Sequence, residues 1–225
     1  MTLNELSPVF LSLQVALAAT FLAILSGLPL AWLLARKRFP GRALLSSLLL
    51  QPLVIPPLVP GYYLLVLLGR EGVIGRFLEN GSGWRLVFSV EGAILAATVS
   101  ALPFMIVPLW LSLERVDPRL EQAARLLGKK RLDVIRTITL PLCRSGVVTG
   151  LFMTFARAFG EFGITLLVAG NIPGQTRTLS LALHEAVLAG HNSRANWLAF
   201  IATLISVLLL WMMVRIGGTS DNRKG

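Results

Sequence analysis

A single cysteine, two histidines and only eleven acidic residues leave this chain few ways to do chemistry unaided. Cys143 alone excludes an intrachain disulfide and offers no CxxC metal spacing; at the foot of an apolar run it reads as a small packing residue. His184 and His191 stand seven apart with no cysteine cluster, which argues against a metal site and for interfacial or outer-surface histidines. The one Gly-Lys pair, Gly128-Lys129, is followed by Lys130 and lacks the Ser or Thr that would hold magnesium, so there is no Walker A loop. No GxGxxG follows a strand pattern, and no nucleophile–base pair sits on rigid elements. The chain is therefore expected to be no enzyme by itself, and any energy it uses comes from a gradient or from a partner.

Charge is scarce too: 14% of the 225 residues, against about a quarter in soluble domains. With 55% hydrophobic residues and a mean hydropathy of +0.73, the chain cannot cover a water-facing surface. The apolar runs are long and lack alternation of period two, so they read as membrane-spanning helices. A net charge of +10 would suit nucleic acid, but the basic residues collect beside apolar spans, which points to membrane orientation instead. Residues 1–9 hold Glu5 and no Lys or Arg; the positive cluster follows the first apolar run, unlike a cleavable signal peptide.

Five spans are expected, at about 10–35, 44–68, 86–113, 146–169 and 197–214, with short tails at 1–9 and 216–225. With the N-terminus outside, fifteen Lys or Arg fall on the inner side (36, 37, 38, 42; 115, 119, 125, 129, 130, 131, 136, 144; 215, 223, 224) and five outside (70, 76, 85, 177, 194). The positive-inside rule selects that orientation and a cytoplasmic C-terminus. Residues 179–189 are apolar but too short to span, and are expected to be interfacial or re-entrant. Span 2 holds Pro52, Pro56, Pro57 and Pro60, each of which removes a backbone donor. A membrane tolerates that only beside protein or water, so Pro56 and Pro57 mark either a pathway-lining segment or a packed kink. There is no internal repeat or low-complexity tract.

Two polar features stand out. The longest polar run, residues 117–141, opens with Asp117 as N-cap and Pro118 at the first helical position, and Gly128 suits the end of the helix. Leu120, Ala123, Ala124 and Leu127 then share a small apolar face; a second short helix is expected from about 130 to 140, with Pro141 opening the next hydrophobic segment. Within span 4, Arg157 and Glu161 are four apart on one face, with Gly160 and Gly163 at the same level. Intramembrane charges are costly and face a partner or water. They read either as a self-paired bridge or, the favoured reading, as the polar lining of an anion pathway or gate. A gradient-driven carrier working alone is the reading from a different class.

The polar run reads Gln122-Ala123-Ala124, three residues, Gly128, nine residues, Ile138-x-Leu140-Pro141. This resembles the EAA loop of ABC-importer permeases, with Gln122 standing where that pattern has glutamate and Glu121 just before it. Residues 51–70, 120–128 and 155–179, the last containing GEFG and GNIPGQTRT, are similar to molybdate permease subunits of bacterial importers; the likeness runs from about Phe10 to Arg215. It implies an all-α, type I (MetI-like) permease in the bacterial cytoplasmic membrane, working by alternating access. It also implies a second permease copy, two ATPase subunits that hold ATP and magnesium, a periplasmic or lipid-anchored oxyanion-binding protein, and no cofactor on this chain. The coupling residues would be Leu120, Glu121, Gln122, Ala123, Ala124, Leu127 and Gly128. Sulfate-type permeases remain the close alternative.

Overall fold

The computed structural model describes residues 3–218, and every regular element among them is helical. The tail with Arg223 and Lys224 lies outside the described residues. Helix α1 (Leu3–Arg36) starts seven residues before the expected span and tolerates Pro8 and Pro29. The second apolar run is broken where its prolines withdraw donors: α2 (Arg42–Leu50) passes through a 3-10 turn at Gln51–Leu53 to α3 (Leu58–Leu68), and the two halves meet at 109°. Helix α4 (Val73–Ser82) follows. Helix α5 (Val90–Glu114) is capped by Ser89, whose Oγ accepts from the Gly92 N–H at 3.1 Å. It runs on unbroken through Pro103 and Pro108.

The polar run forms α6 (Pro118–Leu126), capped as expected, with Asp117 Oδ1 accepting from the Arg119 N–H at 2.9 Å. Gly128 ends it at φ +82, a conformation that disfavours a Cβ. The expected second helix is interrupted: α7 (Arg131–Val134), a π turn at Ile135–Thr139, then α8 (Leu140–Leu142). Pro141 lies inside α8 and does not open the next segment. Having no N–H, it cannot continue the regular ladder behind it, and the widened turn is where that loss is absorbed. Helix α9 (Arg144–Phe159) leaves at 72° to this stretch. It stops at Gly160, and α10 (Gly163–Val168) continues the run after a break, so span 4 is two helices. Helices α11 (Leu179–Leu188) and α12 (Asn192–Gly218) complete the chain.

Among the described residues three helices are long and apolar enough to cross a membrane, and up to five spans result if each bent pair counts as one. Helix α5 is the centre, flanked by α1 and α9. One apolar cluster joins the first half of α1 to α5, α9, α11 and α12; a second joins the later half of α1 and of α5 around Cys143, fully buried as its position suggested. Helix α11 buries Leu179, Leu181, Ala182 and Ala186, so it is packed into the bundle on one face. The ends of α1 and α5 lie together, where Arg36 donates to the Val116 carbonyl at 3.0 Å, and Arg42 at the start of α2 pairs with Glu114 at 3.1 Å. That end carries the basic segments assigned to the cytoplasm.

Small residues set the helix spacing, as is common where apolar lipid gives helices no reason to associate by hydrophobicity. A Cβ at Gly27 would lie 2.9 Å from Met105 Cγ, one at Gly150 3.1 Å from Met105 Sδ, and one at Gly146 would overlap Ser112 and come 2.7 Å from the Pro108 carbonyl. Gly146→Leu is therefore expected to destabilise the α5–α9 contact by at least the ~1–3 kcal/mol of ordinary overpacking. Membrane abundance and thermal unfolding in detergent measure it, with Gly81→Leu, where nothing lies within 4 Å, as the neutral control.

Candidate functional site

The two helix breaks meet. The carbonyls of Pro56 and Pro57 accept the first hydrogen bonds of α3, from Val59 at 2.9 Å and Gly61 at 3.3 Å. From there α3 crosses α10 through residues without bulk. A Cβ on Gly163 would come 2.9 Å from Pro57 Cβ, and one on Gly61 would come 3.1 Å from Ile164 Cα. Pro57 and Gly163, distant in sequence, thus form one contact. Pro56 is exposed beside it, and Gly160 is exposed with only its own helix near.

Glu161 sits in the break between α9 and α10 and is buried, its side chain 1% exposed. One oxygen accepts from the Ile164 N–H at 2.8 Å, so the side chain caps α10, a helix too short to carry its unpaired donors alone. The other accepts from Ser100 Oγ of α5 at 2.5 Å and pairs with Arg157 Nη1 at 2.7 Å. Three elements therefore converge on one carboxylate. Arg157 keeps 26% of its side chain exposed. The pair assigned above to a pathway lining is divided by the structure: Glu161 faces protein, and only Arg157 reaches the surface. Phe162, in the same break, tilts over His184 of α11 at 4.9 Å between ring centroids. Among the described residues no group of three or more His, Cys, Asp or Glu side chains is placed to hold a metal ion.

Beyond α10, the GNIPGQTRT stretch is a built turn. Gly170 and Gly174 take φ of +70 and +73; buried Thr176 accepts from the Ile172 N–H at 3.1 Å and donates to the Gly170 carbonyl at 3.2 Å. Arg177 closes it, donating to Asn171 Oδ1 at 2.9 Å and pairing with Glu185 at 2.8 Å.

At the opposite end, α6 stands clear of the bundle. From Asp117 to Lys130 only Ala124 is buried and only Glu121 half-buried. Leu120, Leu126 and Leu127 are 48%, 90% and 84% exposed, and Gln122 and Ala123 are exposed with them. The apolar face read from the sequence exists, but one member, Ala124, turns inward. Glu121 turns inward too, pairing with Arg36 at 2.9 Å and accepting from Thr139 Oγ1 at 2.9 Å. Arg36, Thr139, Ser100 and Gly61 were not singled out from sequence; Ser100, a hydroxyl in mid-span, was the one with a visible signal.

The family described as binding-protein-dependent transport system inner membrane component matches residues 27–223. The molybdenum transport system permease protein ModB of Escherichia coli (strain K12) is 44% identical over 222 residues, covering 98% of this chain and 97% of that one. The sulfate transport system permease protein CysW of Synechocystis sp. is 36% identical, covering 92% of this chain and 75% of that one. Among solved structures, a chain of the inward-facing MetNI methionine ABC transporter superposes with a TM-score of 0.71 at 19% identity, covering 97% and 99% of the two chains.

Proposed function

Since the chain belongs to the family of binding-protein-dependent transport system inner membrane components, we propose that it carries molybdate, and tungstate with it, across the cytoplasmic membrane. As an ABC-importer permease it is a transport component, and its family implies an ATPase and a substrate-binding protein as partners. The finer assembly is part of the proposal: two copies of this chain, two ATPase subunits, and an oxyanion-binding protein on the outer side.

The observation that carries the reading is the stripped surface of α6. A capped helix that buries one alanine and leaves Leu120, Leu126 and Leu127 in the open, at the basic end of the bundle, has the form of a handle for another protein. Leu120, Gln122, Ala123 and Leu127 supply that face and Gly128 its turn; Ala124 and Glu121 fix it to the permease. ATP-driven movement of the docked subunits is passed through α6 to the bundle, and access alternates between the two sides. Arg157 and Gly160, on the exposed side of the break, are the pathway candidates, with Pro56 exposed beside the crossing that Pro57 and Gly163 form. Arg157 offers the oxyanion a cation whose charge is partly balanced by Glu161, which suits transit better than retention.

Molybdate is favoured over sulfate by the higher identity to the molybdenum permease across nearly the full length of both chains. Proteoliposomes holding the chain with its ATPase and binding protein test this. Molybdate uptake is expected to require internal ATP and to be outcompeted by tungstate but not by equal sulfate. Uptake without the ATPase would mark a stand-alone carrier, and preferential competition by sulfate would reassign the anion.

A further inference from the structure

Helix α6 is joined to the rest of the permease by very little. Along it only Ala124 is buried and only Glu121 half-buried, so displacement of α6 reaches the bundle through those two side chains and the flanking backbone. The Glu121 carboxylate meets Arg36, the last residue of α1, at 2.9 Å, and Thr139 of the π turn at 2.9 Å. The same guanidinium donates to the Val116 carbonyl at 3.0 Å, just before the cap of α6. Both charged side chains are nearly enclosed, 12% and 13% exposed, so water does not compete strongly for the pair. One turn earlier on α1, Trp32 lies under the Arg131 guanidinium at 4.9 Å, which holds the helix on the far side of the Gly128 turn. The final turn of α1 therefore grips both limbs of the loop.

We propose that Arg36 and Glu121 are positioning residues for energy coupling: they carry the movement of α6 into α1 and make no contact with the ATPase themselves. This rests on the reading of α6 as the ATPase dock and assigns the carboxylate of this loop an internal role. Glu121 is turned away from the exposed leucines, while Gln122 beside it faces outward and carries no charge. Arg36 Nε is buried without an acceptor, so the guanidinium has a donor in reserve for a second arrangement when α6 shifts.

The experiment uses the reconstituted complex with molybdate as the transported ion, comparing wild type, Arg36→Gln, Glu121→Gln and the double variant. Uptake by wild type is the control for the underlying reading; if it fails, that reading fails and not the pair. With wild type active, each single variant is expected to co-purify with normal ATPase and to raise ATP consumed per molybdate by roughly tenfold, an ordinary size for coupling between sites. The double variant is expected to be no worse than the more severe single one, because both remove one contact. An unchanged ratio in both singles overturns the proposal, as do penalties that multiply in the double variant. Uptake that falls only in proportion to assembled complex also overturns it, since the pair is then merely structural.

Discussion

Glu161→Leu is expected to leave little folded protein in the membrane, whereas Glu161→Gln retains most of it. Leucine would strand Arg157, remove the acceptor of Ser100 and uncap α10 in one step. Removing one partner of a buried, hydrogen-bonded ion pair costs about 3–5 kcal/mol, which is a large share of the stability of a typical domain. Glutamine keeps an oxygen for the Ile164 N–H and so keeps the cap of α10; its amide nitrogen replaces the oxygen that accepted from Ser100 and Arg157, so the ion pair is given up while partly exposed Arg157 can turn to water. The double change Arg157→Leu with Glu161→Leu is expected to recover part of the loss, since no unpaired charge then remains. Abundance in membranes and thermal unfolding in detergent rank the variants, and uptake per assembled complex separates folding from gating. Normal uptake per complex in Glu161→Gln is the expected result if Glu161 serves the fold alone; a changed rate at normal abundance would place it in the gate.

The second large effect concerns α6, where neighbouring positions should fail differently. Ala124 is 5% exposed, so Ala124→Glu forces a carboxylate into the one apolar contact that seats the helix. The expected result is loss of uptake by tenfold or more, about 1.4 kcal/mol of lost coupling per factor of ten, with reduced ATPase co-purification because the dock itself is displaced. Leu127 is 84% exposed, so Leu127→Asp leaves the permease as stable as wild type and weakens only ATPase capture. Gly128→Asp lies between: nothing blocks its side chain, but φ +82 costs a non-glycine residue about 1–2 kcal/mol. Thermal unfolding of the free permease beside pull-down of the ATPase distinguishes the three. Equal behaviour of Ala124→Glu and Leu127→Asp in both assays would contradict the inward seat of Ala124.

What could be read from sequence was what depends on neighbours in the chain. The cap at Asp117, the turn at Gly128 and the disturbance at Pro56-Pro57 each follow from local backbone chemistry, and the structure shows each at those residues. The face of α6 was legible as a stripe, but periodicity says which residues align and not which of them turn inward. The π turn was not legible, because a missing donor at Pro141 states that the ladder must adjust without stating how. Glycines 27, 146 and 150 carry no signal of their own in the sequence; their meaning lies in Met105 and Ser112, which are remote in sequence. The same holds for the two polar junctions. Arg36 and Glu121 are 85 residues apart, and Ser100 and Glu161 are 61 apart. A charge in a span announces that a partner exists, and only the fold names it.

The convergence on Glu161 also restricts how the molecule can move. Helices α5, α9 and α10 each supply a donor to one enclosed carboxylate, and parting any two of them strips a bond that solvent is not there to replace. Those three helices are therefore tied together at that point, and a conformational cycle that keeps the carboxylate satisfied has to move them together. The freedom left to a conformational cycle then lies at their margins: in the 109° elbow between α2 and α3, in the slide of α3 across Gly163, and in the bend that leads from the π turn into α9.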